Sequence, residues 1–146
     1  MARSLRPPLT GIGRYTLNLA RAVGSALPAG SLSVFLTRDT IPLNGMSARR
    51  EIVPIPTPHE VLRAAWEQTV VPLQARSQRI DIYHSPNYTL PLALHCPSVL
   101  TVHDLAFLRT GLHNHRLQLY LKIFTSLAVR RASRIICVSE STRRRI

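Results

Sequence analysis

The chain has 146 residues, 45% of them hydrophobic, and a formal net charge of +12. The length is typical of one domain and sufficient for a buried core, and the sequence lacks the roughly 18-residue apolar run of a membrane span. The first residues lack the apolar segment of a secretory signal, so we expect a cytoplasmic protein. The excess of arginine predicts attraction to nucleic acid, anionic lipid headgroups or phosphorylated ligands.

The N-terminal part of the chain alternates helical and strand patterns. A Pro- and Arg-rich loop over residues 1–10 precedes a helical pattern that a Pro and a Gly end at residues 27–30. The apolar run 32–37 predicts a buried strand, residues 42–50 a loop and residues 51–55 a second strand. Residues 60–76 have a helical pattern, which Pro72 should break or restart.

The remaining elements are shorter strands and one long helix. Residues 81–84 predict a strand end that runs into the loop 85–88, and residues 98–102 predict a fully apolar strand that ends at His103. Residues 114–132 predict a helix with one apolar stripe. The stripe contains Leu117, Tyr120, Leu121, Phe124, Leu127 and Ala128. Residues 134–138 predict a third apolar strand, after which a new helix begins.

Apolar strands separated by helices predict a parallel sheet covered on both faces, that is, a Rossmann-like, doubly wound α/β domain. In such sheets the functional residues gather at the carboxyl ends of the strands. Cys96 and Cys137 lie in or beside strand patterns and are expected to be small buried hydrophobic residues without a disulfide.

Gly11 and Gly13 open the first predicted helix, and Arg14 follows them. Glycine lets a ligand approach the backbone, and the first amides and the dipole of a helix attract phosphate. The full G-x-G-x-x-G pattern is absent because Thr16 occupies its last position. A glycine turn that serves only tight packing explains the pattern equally well.

Polar side chains follow two of the predicted strands. His103 and Asp104 suit a sugar hydroxyl or general acid–base chemistry, because an imidazole titrates near neutrality and a carboxylate accepts a hydrogen bond. His84, Asn87 and Tyr88 suit a polyol acceptor. The competing interpretations are that a strand-end histidine caps a loop and that Pro and Asn form an ordinary turn.

Other polar residues give weaker signals. Residues 66–68 and Tyr120 are expected to pack as core or helix surface. No cluster of His, Asp or Glu has the spacing of metal ligands, and no G-x-S-x-G motif supports a serine nucleophile.

Taken in order, these segments resemble the N-terminal domain of family-4 retaining glycosyltransferases, two-lobed GT-B enzymes of polysaccharide and glycolipid synthesis. The resemblance covers nearly the whole chain. It consists of T-G-I-G-R-Y-T-L-N-L at 10–19, W-E-Q at 66–68, D-I-Y-H-S-P-N-Y at 81–88, P-S-V-L-T-V-H-D-L-A-F at 97–107, R-A-S-R-I-I-C-V-S-E at 131–140 and S-T-R at 141–143.

The resemblance implies transfer of a hexosyl or mannosyl group from a nucleotide-sugar donor to a glycan or lipid-linked acceptor, with retention and without a metal or other cofactor. It assigns Gly11 and Gly13 to the donor diphosphate and acceptor, His103 to the transferred sugar with Asp104 beside it, and the 84–88 loop to the acceptor. It also implies peripheral association with an anionic inner membrane face and no nucleic-acid partner.

The chain departs from the family pattern at both ends. Family members open with a strand that ends in D-A-R before the glycine loop, whereas this sequence starts with Met1-Ala2-Arg3. The family's second lobe, which holds the nucleotide sugar through an acidic pair, has no counterpart within residues 1–146. We therefore expect a single incomplete N-terminal domain over 1–146 that lacks its first strand and is inactive alone.

Two alternative functions fit the same residues. One is a non-catalytic, basic Rossmann-like module that binds nucleotide, nucleic acid or anionic lipid, which the arginine content favours. Against nucleic acid, only 5% of the residues are aromatic, too few for the interleaving typical of single-strand binders. The other is a different enzyme of phosphorylated ligands on the same fold, since a fold does not fix a function.

Overall fold

A computed structural model describes residues 5, 8–36, 48–52, 60–105 and 115–146. The chain divides into two compact units, residues 1–55 and residues 56–146. Each unit combines α-helical structure with parallel strands, which confirms the predicted α/β class with a parallel sheet. The expectation that residues 1–146 form a single domain stays a prediction.

The first unit contains helix α1 (Gly11–Ala26) and the parallel strands β1 (Leu32–Leu36) and β2 (Ala48–Ile52). Thr10 caps α1 by accepting a hydrogen bond from the Gly13 amide at 3.2 Å. After α1, the Ser31 amide donates to the Pro28 carbonyl across a turn in which Gly30 has a φ of 80°. Only glycine adopts that conformation readily, so Gly30 is a structural requirement of the turn.

Strand β2 corrects the boundary predicted from the sequence. Residues 48–50 were expected to be loop, yet Ala48 pairs with Leu32 and Arg50 with Val34 in parallel register. Arg49 and Arg50 hide the strand from a search for apolar runs, whereas the parallel pairing itself uses backbone groups. Residues 53–55, the rest of the predicted strand, lie outside the described residues.

The second unit carries most of the described structure. Its elements are α2 (Glu60–Ser77), β3 (Tyr83–Ser85), β4 (Ser98–Val102), α3 (His115–Arg131), β5 (Arg134–Cys137) and α4 (Glu140–Arg143). The three strands form a parallel sheet in the order β3-β4-β5. Consequently, the segments that follow β3, β4 and β5 all leave the sheet at the same end, where the carboxyl ends of its strands lie.

Burial is uneven across this sheet. Strand β4 lies in the centre, and Leu100, Thr101 and Val102 are completely buried. Strand β5 lies at an edge of the described sheet, and Ile136 is 40% exposed. The prediction of burial is therefore confirmed for Cys96 and wrong for Cys137, which is only half-buried because it lies on that edge strand.

Helix α2 continues through Pro72 without interruption, so the predicted break is wrong. A proline removes one backbone hydrogen bond, but packing stabilises the helix around it, since Pro72 and Val71 are both buried. The helix ends in a Schellman motif: the Ile80 amide donates to the Ala75 carbonyl at 2.9 Å, and Arg79 has a φ of 54°.

Helix α3 corrects the predicted apolar stripe. Ala128 is buried and Phe124 half-buried, as the stripe predicts, whereas Leu127 is 39% exposed. Leu127 instead belongs to an outer row with Leu119 and Ile123, at four-residue spacing. No helix in the described ranges is both long and apolar enough to cross a membrane.

Candidate active site

His103 and Asp104 follow the carboxyl end of β4, beside the loop that follows β3. His103 is half-buried and Asp104 is exposed. The structure brings Pro86 and Tyr88 of the β3 loop into contact with this pair. The second unit thus collects several of the predicted site residues at the carboxyl end of its sheet.

The imidazole of His103 is fixed by two groups of the β3 loop. Its Nε2 lies 2.9 Å from the carbonyl oxygen of Pro86, and the Tyr88 ring meets it edge-on, with centroids 6.2 Å apart and planes at 74°. A carbonyl oxygen only accepts, so Nε2 carries the hydrogen and donates. The lone pair of the neutral ring is then on Nδ1.

The backbone of His103 is held by α4, the helix that follows the third strand of the sheet. The hydroxyl of Thr142, a buried residue of α4, donates to the His103 carbonyl at 3.4 Å. Thr142 is itself positioned because its amide donates to Ser139, the residue that caps α4. The segments that follow β3 and β5 therefore both contribute to the position of His103, which itself follows β4.

Tyr88 links the β3 loop to Asp104. Burial, followed by the negative charge of Asp104 and a side-chain hydrogen bond to it, raises the pKa of the Tyr88 hydroxyl. The neutral hydroxyl donates to the carboxylate, because a carboxylate only accepts. This hydrogen bond restrains the Asp104 carboxylate at the surface, where a ligand can reach it.

His84 and Asn87 make contacts within the protein. The Nε2 of His84 lies 2.9 Å from the hydroxyl of Thr101 on the neighbouring strand, and burial lowers the pKa of His84. The Oδ1 of Asn87 accepts from the Tyr88 amide at 3.0 Å. Tyr88, in contrast, contacts the His103–Asp104 pair. The acceptor roles of His84, Asn87 and Tyr88 stay predictions.

The loop after β3 is also held by residues whose role the sequence did not predict. The buried hydroxyl of Ser85 lies 2.6 Å from the Thr89 carbonyl, and Thr89 donates to Glu67 of α2 at 3.0 Å. Gln68 contacts the same segment through Leu90 and Leu92. Residues 66–68 were expected to be only core or helix surface. The sequence signal for their role is an acid next to an amide, Glu67 and Gln68, within a predicted helix.

The glycine segment belongs to the first unit. Gly11 is exposed, and a Cβ there would meet no atom within 4 Å, so packing does not explain this glycine. The amide of the buried Gly13 is already used by the Thr10 cap, and Arg14 is exposed. The open backbone at Gly11, at the positive end of α1, suits the close approach of an anionic group.

Within the described part of the chain, no group of three His, Cys, Asp or Glu side chains is placed to hold a metal ion. The independence from metal that the resemblance implies stays a prediction.

Comparison with known proteins gives one result. A family profile described as Glycosyltransferase Family 4 matches residues 9–146. No curated protein and no solved structure shows significant similarity to the chain. The matched range includes α1 and every strand, and therefore all of the candidate site residues.

Proposed function

Because the chain belongs to glycosyltransferase family 4, we propose that it transfers a hexosyl group from a nucleotide-sugar donor to a glycan or lipid-linked acceptor, with retention at the anomeric carbon. The observation that carries this proposal is the cluster at the carboxyl ends of β3 and β4. There an imidazole, a carboxylate and a phenol lie together at the carboxyl end of a parallel sheet.

The cluster supplies the groups that recognise sugar hydroxyls. The exposed Asp104 carboxylate accepts a hydrogen bond, while Tyr88 fixes its position. Since Nε2 of His103 donates to Pro86, any proton that His103 takes up goes to Nδ1. His103 and Asp104 are therefore proposed to contact the transferred sugar, and Tyr88 with Asn87 and His84 to form the acceptor side.

The donor diphosphate is proposed to approach the start of α1. The exposed Gly11 backbone, the positive end of the helix dipole and the Arg14 guanidinium all favour a phosphate there. None of these groups requires a metal ion. The nucleotide itself is proposed to bind a second lobe of the GT-B type.

A lipid-linked acceptor would place the protein at an anionic membrane surface. The outer row of α3 supports such contact: Leu119, Ile123 and Leu127 are 58%, 46% and 39% exposed. The exposed cations Lys122 and Arg130 border this row. An apolar row flanked by basic side chains is the pattern of a helix that lies in a membrane interface. The proposed location is the cytoplasmic side of the membrane.

The proposal is tested by binding and by transfer. The isotope-labelled chain is titrated with nucleotide sugars and with glycan or lipid-linked acceptors, and transfer of radiolabelled sugar is measured with and without a separate family-4 nucleotide-sugar lobe. We expect amide shifts at Gly11–Arg14 and His103, and transfer of sugar when the lobe is present. The anomeric configuration of the product then decides retention.

His103→Ala should lower transfer by about a hundredfold, in the range that loss of one acid–base or polar group gives. The control is His95→Ala, because His95 is exposed and precedes β4, at the amino end of the strands. Equal effects of the two variants, or no amide shift with any sugar ligand, would contradict the proposed function.

A further inference from the structure

Gln68 of α2 binds two backbone groups of the segment after β3. Its Nε2 donates to the Leu90 carbonyl at 3.1 Å, and its Oε1 accepts from the Leu92 amide at 3.0 Å. The Gln68 side chain thus bonds the carbonyl of one residue and the backbone N–H of the residue two positions later. A neighbouring parallel β-strand would bond the same two groups. Neither Glu, which lacks a donor, nor Met, which lacks both groups, can replace it.

The segment that Gln68 binds is buried, so it needs these partners. Leu90 and Pro91 are each less than 2% exposed. Buried backbone groups without a partner destabilise a fold, and Pro91 has no amide hydrogen of its own to contribute. Gln68 thus determines where the chain runs between residues 90 and 92.

A second contact of α2 fixes the preceding residue. Thr89, 6% exposed, donates its hydroxyl to Glu67 at 3.0 Å, and its carbonyl lies 2.6 Å from the buried hydroxyl of Ser85. Ser85 also lies 2.9 Å from the carbonyl of Asn87. The loop between Ser85 and Thr89 is therefore closed on itself at one end and attached to α2 at the other.

This closed loop is the one that holds His103. Its Pro86 carbonyl receives the Nε2 hydrogen, and its Tyr88 contacts both the imidazole and Asp104. A shift of the loop would move both restraints together. These hydrogen bonds, together with the backbone from Ser85 to Leu92, connect α2 through the loop to the His103 ring.

From this path we propose that Gln68, assisted by Glu67, is a positioning residue that sets the tautomer and orientation of His103. The purpose of that orientation, contact with the transferred sugar, rests on the proposed function. The path itself does not. Gln68 is not catalytic, because it acts only through the loop.

The test is the ¹⁵N spectrum of the His103 imidazole in the full 146-residue chain. In the parent protein we expect one tautomer, with the hydrogen on Nε2. In Gln68→Met we expect this pattern to be replaced by averaging between the two tautomers, while the chain stays folded. The protection of the Leu92 amide against hydrogen exchange should fall about tenfold, because a buried hydrogen bond is lost.

Gln74→Met is the matched control: it makes the same change on the same helix, at an amide whose buried Oε1 has no hydrogen-bond partner. Gln68→Glu is the second variant, because it keeps the volume and the acceptor for Leu92 but removes the donor for Leu90. An unchanged His103 spectrum in a folded Gln68 variant overturns the proposal. So does unfolding of both Gln68 variants while Gln74→Met folds, because Gln68 would then serve the whole fold.

These outcomes are separate from those of the transfer assay. A His103 tautomer that depends on Gln68, in a protein that transfers no sugar even when the nucleotide-sugar lobe is supplied, would support the positioning role and contradict the proposed function. A protein that transfers sugar while its His103 spectrum is insensitive to Gln68 would do the reverse.

Discussion

At the residue scale, His84 makes the fold sensitive to acid. Burial lowers its pKa below the ordinary value of 6.5. Between that value and the lowered pKa the unfolded chain binds more protons than the folded one, so stability rises with pH in this window. We expect the free energy of unfolding to fall as the pH drops through about 6.5.

The measurement is denaturant unfolding of the parent and of His84→Gln at several pH values between about 5 and 8. The variant should show a smaller loss on acidification, because it cannot be protonated. His95→Gln, which removes an exposed histidine and keeps the His84–Thr101 contact, is the control. A parent and a His84→Gln variant with the same acid dependence would show that burial of His84 does not govern it.

Two glycines of the first unit should respond in opposite ways to the same substitution. Gly11 lies in the first turn of α1 with open space around it, so Gly11→Ala should raise the free energy of unfolding by about 0.5–1 kcal/mol. Gly30 has a φ of 80°, so Gly30→Ala should lower it by about 1–2 kcal/mol.

Ligand binding separates the functional role of Gly11 from its structural one. If the diphosphate approaches the start of α1, the added methyl group of Gly11→Ala should weaken nucleotide-sugar binding in spite of the higher stability. Gly30→Ala should leave binding to the folded protein unchanged. Calorimetric unfolding and ligand titration of both variants check this, and equal affinity in parent and Gly11→Ala would exclude a close approach at that position.

At the element scale, the sequence predicted the type of the elements better than their ends. The apolar run of β4 is buried on both faces, and such a run identifies a central parallel strand directly. The polar β2 and the unbroken α2 were mispredicted because strand pairing and tertiary packing outweigh local pattern there. The position of His103 at a strand end was predictable. Its contacts with Pro86 and Tyr88 were not, because they depend on how one loop folds over another.

The end of α2 gives a stability prediction. Arg79 closes the Schellman motif in the left-handed region, where a side chain costs about 1–2 kcal/mol relative to glycine. Glycine loses more entropy on folding, which offsets part of the gain. Arg79→Gly should therefore raise the free energy of unfolding by about 0.5–1 kcal/mol, measured by denaturant titration. A lower stability would mean that the exposed Arg79 side chain makes a compensating contact.

At the scale of the whole molecule, the net charge of +12 is the dominant feature, because 19 basic side chains stand against 7 acidic ones. Glu140 pairs with Arg143 at 2.8 Å and with Arg144 at 3.3 Å, but all three side chains are at least half exposed. Exposed pairs of this kind contribute about 0–1 kcal/mol and weaken in salt. The excess charge is thus available for a polyanionic surface, and its distribution decides which one.

The exposed face of α3 predicts that this polyanionic surface is an anionic membrane. The 5% of aromatic residues is too low for base stacking, whereas an apolar row beside Lys122 and Arg130 matches an anionic bilayer. Each basic side chain near such a surface contributes roughly 1 kcal/mol, so Lys122→Gln should weaken liposome binding about fivefold. Ile123→Gln should weaken it as well, through loss of apolar contact.

The measurement is co-sedimentation with liposomes that contain or lack anionic lipid. Arg76→Gln is the control, because it removes one exposed positive charge from a different helix. If Lys122→Gln and Arg76→Gln weaken binding equally, net charge rather than the α3 face attracts the membrane. Equal pelleting with both liposome types would exclude electrostatic association altogether. Binding that persists in salt but is lost in Ile123→Gln would assign the larger part of the affinity to the apolar row, since salt screens exposed charges and leaves apolar burial intact.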